Sequence, residues 1–289
     1  MFFPFQGEPS RRGVLLGLCG AAAALAFPGR ARADQPLTFG ITPQQIPSRV
    51  AEQWVPLIAE VSRRSGIPLQ FRTARDIPSF ERLYAAGILD FGYLSPYGYV
   101  RFAHQAGYRA FAHEKNRRLS GVIVVRADSP IHSLAELNGQ AVAFPTPEAF
   151  GASMLTRAEL DRRGIAYQPR FFLSHDSVYR NILAGTCPAG GGIIRTLEAL
   201  PPEQRAQLRV LATTTDYAPH PFSAQARLPA ATVDWVRDAM LSLNDDAAGQ
   251  ELLDGAGLQG ITAAEDKEWD DVRALDLEKL AHWEEWQAK

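Results

Sequence analysis

From Leu37 onward, short apolar runs alternate with amphipathic segments, and this alternation constrains the fold more than any other feature. The run at 37–41 is strand-like and breaks at Thr42-Pro43. Val50, Trp54, Val55, Leu57, Ile58 and Val61 then form the apolar face of a helix until Gly66 stops it. Residues 69–72 predict a second strand, 79–86 a helix, 90–94 a third strand, and Ser95-Pro96 opens a helix from Tyr97 to His104. Residues 108–111 make a short fourth strand. Strands that alternate with helices predict mostly parallel sheets with both faces covered.

A polar break at 116–121 precedes a second series of the same kind. It comprises a strand at 122–125, a short capped helix at 133–137, a strand at 141–144 and a helix from about Phe150 to Arg163. Residues 171–173 read as a buried strand, and the stretch Ser174–Ser177 offers several side chains able to cap a helix carrying Val178, Ile182 and Leu183. Gly185 ends that helix, and 189–194 is a strand containing Gly190, Gly191 and Gly192. A short helix at 196–200 and a strand at 208–212 complete the insert. Residues 217–224 are loop or strand, 233–243 are an amphipathic helix, and Leu277, Leu280, Trp283 and Trp286 form a packing stripe. One lobe (34–119 and 213–289) split by another (120–212) is the plan of a hinged clamshell.

The first 33 residues are set apart: Arg11-Arg12, an apolar run to Phe27 and Ala31-Arg32-Ala33 read as an export signal. Ser10-Arg11-Arg12-Gly13 is similar to a twin-arginine signal, so the expected location is the periplasm. Removal leaves 26 basic against 31 acidic residues, a balance unsuited to nucleic acid. It also removes Cys19 and leaves Cys187 alone, read as a small buried hydrophobe. The six His residues show no metal-ligand spacing, and no nucleotide-binding, hydrolase or metalloprotease motif occurs, so neither cofactor, metal nor turnover is expected.

In a clamshell the ligand lies between the lobes, beyond the carboxyl ends of the strands. Four strand-end turns bring candidates there: Thr42 and Gln44; Tyr93, Ser95 and Tyr97; Phe150, Gly151 and Ser153; His175 and Ser177, with Gly190 on the facing strand. Hydroxyls, amides, helix N-termini and a His that could take up a proton suit an anion or a small polar ligand.

Phe39-Gly40-Ile41-Thr42-Pro43, Asp90-Phe91-Gly92-Tyr93-Leu94-Ser95-Pro96, the stretch 122–139 and Ser174-His175-Asp176-Ser177 carry a resemblance to a known family. The chain resembles the PhnD-like phosphate, phosphite and phosphonate binding proteins of ABC importers, over residues 37 to about 275. The resemblance implies a two-lobed type II periplasmic binding protein, α/β in class, that captures an oxyanion with His175 among its contacts. It also implies delivery to an importer permease, with a monomer expected; the alternatives are a protein feeding a membrane sensor kinase, or a binder of another small organic ligand. Three positions depart from the family pattern. Ala149-Phe150-Gly151 stands where its phosphonate binders have Ser-Thr-Ser, Pro188 stands near an expected acid, and Ile77 replaces an aromatic after Asp76. Phe150 and the three glycines therefore predict a roomier or more apolar pocket.

Overall fold

The computed structural model describes residues 35–275. The export signal and the Leu277, Leu280, Trp283 and Trp286 stripe lie outside the described residues. Strand β1 (Leu37–Ile41) leads through helix α1 (Pro47–Ser65) to β2 (Leu69–Arg72), parallel to it. Pro47 suits the first turn of α1, and Gly66 closes it at φ 68. Contrary to expectation the helix leaves Val55 exposed, since it lies one position round from Trp54 and off the sheet-facing side. The helix buries Val50, Trp54, Leu57, Ile58 and Val61. Each such side chain contributes roughly 1.5–3 kcal/mol, against under about 1 kcal/mol for a surface pair such as Glu60–Arg63. The buried face therefore holds α1 in place. Helix α2 (Ile77–Ala85) is capped by Asp76, which accepts from Ser79 N at 2.7 Å. Strand β3 (Phe91–Tyr93), helix α3 (Pro96–Ala106) and strand β4 (Tyr108–Glu114) follow.

The chain then enters a second sheet with β5 (Leu119–Arg126) and β6 (Ala141–Phe144). A π-helical turn, Phe150–Leu155, runs into α4 (Thr156–Arg162), followed by β7 (Gln168–Phe171), α5 (His175–Leu183) and β8 (Ala189–Ile193). Helices α6 (Ile194–Glu198) and α7 (Pro202–Ala206) lead to β9 (Leu208–Tyr217). The return comprises β10 (Pro221–Gln225), α8 (Ala230–Leu241), α9 (Ala247–Gly255), β11 (Ile261–Ala263) and α10 (Asp270–Arg273).

The sheets have the orders β11-β4-β10-β3-β1-β2 and β7-β6-β8-β5-β9, flanked by helices, which is the α/β class expected. In each sheet four strands run the same way, as the mostly parallel expectation has it, and the rest make it mixed. β1 pairs in parallel with β2 and β3, and β6 with β7 and β8, but β5 and β10 are antiparallel to both of their neighbours. The reason lies in the two crossings. β4 and β9 run out of their sheets in the same sense as the parallel strands. The strand that receives each crossing enters from that end and runs the other way. Pairing of Tyr217 with Leu119 carries the second sheet past the changeover expected at 213.

Alternation in β5 places Val122 and Val124 against Val178, Tyr179 and Ile182 of α5, and Ile123 and Val125 against Leu160 and Tyr167. Both sheet faces are thereby buried. The strand expected at 171–173 ends at Phe171. Leu173 is 62 % exposed at φ 69, because its amide bonds to the Pro145 carbonyl as the chain turns outward into α5.

Candidate functional site

The cleft-facing turns are built by local chemistry. After β1, Thr42 N donates to the Tyr93 carbonyl and Gln44 N to the Thr42 carbonyl, which tightens the chain and leaves the Gln44 carbonyl facing the other half. Ser95 caps α3 by accepting from Gly98 N at 3.1 Å, so its own proton remains available. Ser174 caps α5 by accepting from Ser177 N. The helix expected from Phe150 begins instead as the wide π turn, where Ser153 N and Met154 N both reach the Ala149 carbonyl. The amides of Phe150, Gly151 and Ala152 precede that bonding and form the positive end of the turn. Buried Arg157 holds the approach by donating to the Pro147 carbonyl at 2.8 Å and the Ser153 carbonyl at 3.3 Å.

These turns enclose one cavity, walled by Thr42, Gln44, Ile77 and Ser95 from one half and by Ala149–Ala152, His175 and Ile193 from the other, with His220 from the β9–β10 crossing. Water-sized centres fit into about 10 Å³ of it, room for a single water. Of the expected site residues the structure brings together Thr42, Gln44, Ser95, Phe150, Gly151 and His175. Tyr93 lies beneath, stacked on His220 at 5.2 Å. Tyr97 is buried within α3 under Arg101, and Ser153 is wholly buried behind the π turn. The Ser177 hydroxyl bonds along α5 to Ser174 and Arg180. Gly190 backs onto Val178 and the Ala143 carbonyl. The glycines of β8 do not widen the pocket, contrary to expectation. A Cβ at Gly191 would overlap the Ala152 carbonyl, so this glycine lets the π turn rest directly on the sheet.

His220 was missed by sequence reasoning. Its one signal, a Pro219-His220-Pro221 tripeptide on the returning crossing, becomes informative only once that crossing is known to pass the cleft. The His220 and Gln44 side chains meet at 2.9 Å, and the Gln44 amide oxygen accepts from Arg195, itself over the Tyr93 ring at 5.5 Å. Arginine only donates, so Gln44 turns its oxygen to Arg195 and its NH₂ to His220 Nε2, which assigns the His220 proton to Nδ1. Burial, then Arg195, then His175, push His220 well below the usual histidine range. Burial and then Arg195 hold His175 down at about 3. The expectation that His175 protonates is therefore corrected: in this desolvated site beside a guanidinium it stays neutral.

The halves are held together around the cavity. His175 N donates to the Gln44 carbonyl at 3.0 Å and Ile46 N to Asp176 Oδ2 at 3.3 Å, while Arg49 reaches the Ala199 carbonyl. Among the described residues no group of three or more His, Cys, Asp or Glu could hold a metal ion, and no carboxylate lines the cavity. Cys187 is buried, and burial pushes its thiol up, away from the reactive thiolate.

Comparison with known proteins then decides the family. Residues 39–269 match the family described as ABC transporter, phosphonate, periplasmic substrate-binding protein. The chain belongs to this family. Its members are the substrate-binding component of ABC importers, which makes a permease the partner of a phosphonate-family binding protein such as this one. Among solved structures it is similar to the binding component of an ABC phosphonate transporter from Pseudomonas aeruginosa, at 16% identity over 86% of this chain and 87% of that one, TM-score 0.75. A PhnD-type protein of Prochlorococcus marinus, in complex with methylphosphonate, is 17% identical over 85% and 97%, TM-score 0.75. A Xanthomonas citri protein bound to ATP is 19% identical over 85% and 95%, TM-score 0.63. These likenesses establish the type II clamshell fold. Among the described residues of this family member, no helix is long and apolar enough to cross a membrane.

Proposed function

We propose that this chain captures a small oxyanion of the phosphate, phosphite or phosphonate class between its two lobes and hands it to an importer permease without turning it over. The observation that carries this reading is that the opening residues of the π turn, Phe150–Ala152, line one cavity together with Thr42, Ser95 and His175. A helix N-terminus offers an anion backbone N–H groups without a counter-charge, so the missing Ser-Thr-Ser hydroxyls remove donors but leave the amides. The lobes, 35–118 with 218–275 against 119–217, must part to admit a ligand of several heavy atoms, since the enclosed space is close to one water. Export by residues 1–33 and action as a periplasmic monomer complete the reading.

Titration calorimetry of residues 34–289 with phosphate, phosphite and methylphosphonate tests it. Binding of at least one is expected, weakened at least about tenfold in His175→Ala, the loss of one hydrogen bond in a desolvated site. No heat with any of the three overturns the reading.

A further inference from the structure

The hydrogen bonds around His175 determine which ring nitrogen meets a ligand, and the inference they support rests on the oxyanion reading of this site. His175 Nδ1 lies 3.0 Å from Thr196 Oγ1. That oxygen is also 2.8 Å from the Tyr179 hydroxyl and 3.1 Å from the Ile193 carbonyl. A carbonyl only accepts, so Thr196 directs its single proton there. Tyr179, itself a long 3.4 Å from the same carbonyl, donates to Thr196 instead. The Thr196 oxygen is then left to accept from Nδ1, which carries the one proton of the neutral ring. Nε2 is a bare lone pair on a ring that walls the cavity.

The remaining polar groups of the wall are of the opposite kind. Ser95 has a proton to give, Thr42 carries a hydroxyl, and the first π-turn amides donate. We propose that His175 Nε2 selects the protonation state of the ligand: the site takes an oxyanion that still carries one acidic O–H and excludes those that carry none. A hydrogen phosphonate or hydrogen phosphite monoanion has oxygens for the donors and one O–H for Nε2. A sulfonate of the same shape would place an oxygen lone pair against the nitrogen lone pair. The ionisable groups around the ring do not relieve this. Arg195 on α6 opposes a proton on His175, and His220 on the crossing is itself held neutral by burial, Arg195 and His175. Asp176 is engaged with Ile46 N, and Tyr179 with Thr196.

Calorimetry with methylphosphonate and methanesulfonate across a pH series separates this from the oxyanion reading. Methylphosphonate is expected to bind with constant affinity below its second ionisation and to weaken about tenfold per pH unit above it. Methanesulfonate is expected at least about 100-fold weaker, since a site built for an O–H rejects an analogue without one. His175→Gln, which can present an amide N–H, should narrow that gap, and ¹⁵N shifts of the wild-type ring should report the Nδ1–H tautomer. Methylphosphonate binding that ignores its second ionisation, equal binding of methanesulfonate, or an Nε2–H tautomer overturns the proposal while leaving the oxyanion reading in place. Absence of binding by any oxyanion removes both.

Discussion

Glu81 carries a titration that thermal unfolding can read. It is 5 % exposed on α2, and burial first, then the Glu148 carboxylate ahead of the π turn, push it up to about 8 against the opposing pull of Arg101. A carboxyl raised in the folded state keeps its proton where the unfolded chain has released it. Stability from this group therefore falls as pH rises from its ordinary 4.5 to about 8 and stays low above that. Glu81→Gln is expected to raise stability on the order of 3 kcal/mol at about pH 9 and hardly at all at about pH 4. Unfolding of both proteins over that range checks it, and an unchanged pH profile in the variant would assign the slope to other groups. Neither this residue nor His220 stands out along the chain. A Glu inside an amphipathic helix and a His between two prolines take their character from what covers them.

The π turn depends on glycines drawn from two strands of the second sheet. Cβ atoms at Gly121 and Gly191 would overlap the carbonyls of Gly151 and Ala152, and backbone cannot yield as a side-chain tip can. Gly191→Ala is expected to cost about 1–3 kcal/mol by overpacking and to weaken oxyanion binding, because the donor amides shift with the turn. Gly185→Ala is the matched comparison: it is strained at φ 74 with open space around its Cβ. It should cost about 1 kcal/mol and leave binding intact. Thermal unfolding with calorimetry distinguishes the pair, and equal binding in both variants would show that the close approach at Gly191 is dispensable. The glycine run was visible in the sequence as a place where backbone comes close. That the visitor is the π turn and not a ligand became visible only in the packed sheet.

Closure rests on few contacts, and Arg49 to the Ala199 carbonyl is the one most easily removed, since Arg49 lies outside the cavity wall. A charged hydrogen bond contributes about 1.5–3 kcal/mol. Arg49→Ala is therefore expected to weaken apparent oxyanion affinity about tenfold by lowering the closed population. The free protein should become more extended in small-angle scattering. Unaltered affinity and scattering would mean that the other bonds between the halves, His175–Gln44, Ile46–Asp176 and Arg195–Gln44 among them, hold them without Arg49.

Period, caps and breakers are properties of neighbouring residues, and for that reason β1, β2 and β6, the capping stretch at 174–177 and the alternation that sets the α/β class could be read directly from the chain. So could the four turns from which six of the expected residues converge. Strand direction is different: β5 and β10 run against their neighbours because the chain arrives from the other half, which no local pattern encodes. The same holds for Leu173 turning outward under the Pro145 carbonyl. It holds also for Gln44 and His220, which meet across 176 positions of sequence. The neutrality of His175 belongs to this second kind, since desolvation and the nearness of Arg195 exist only once both halves surround it.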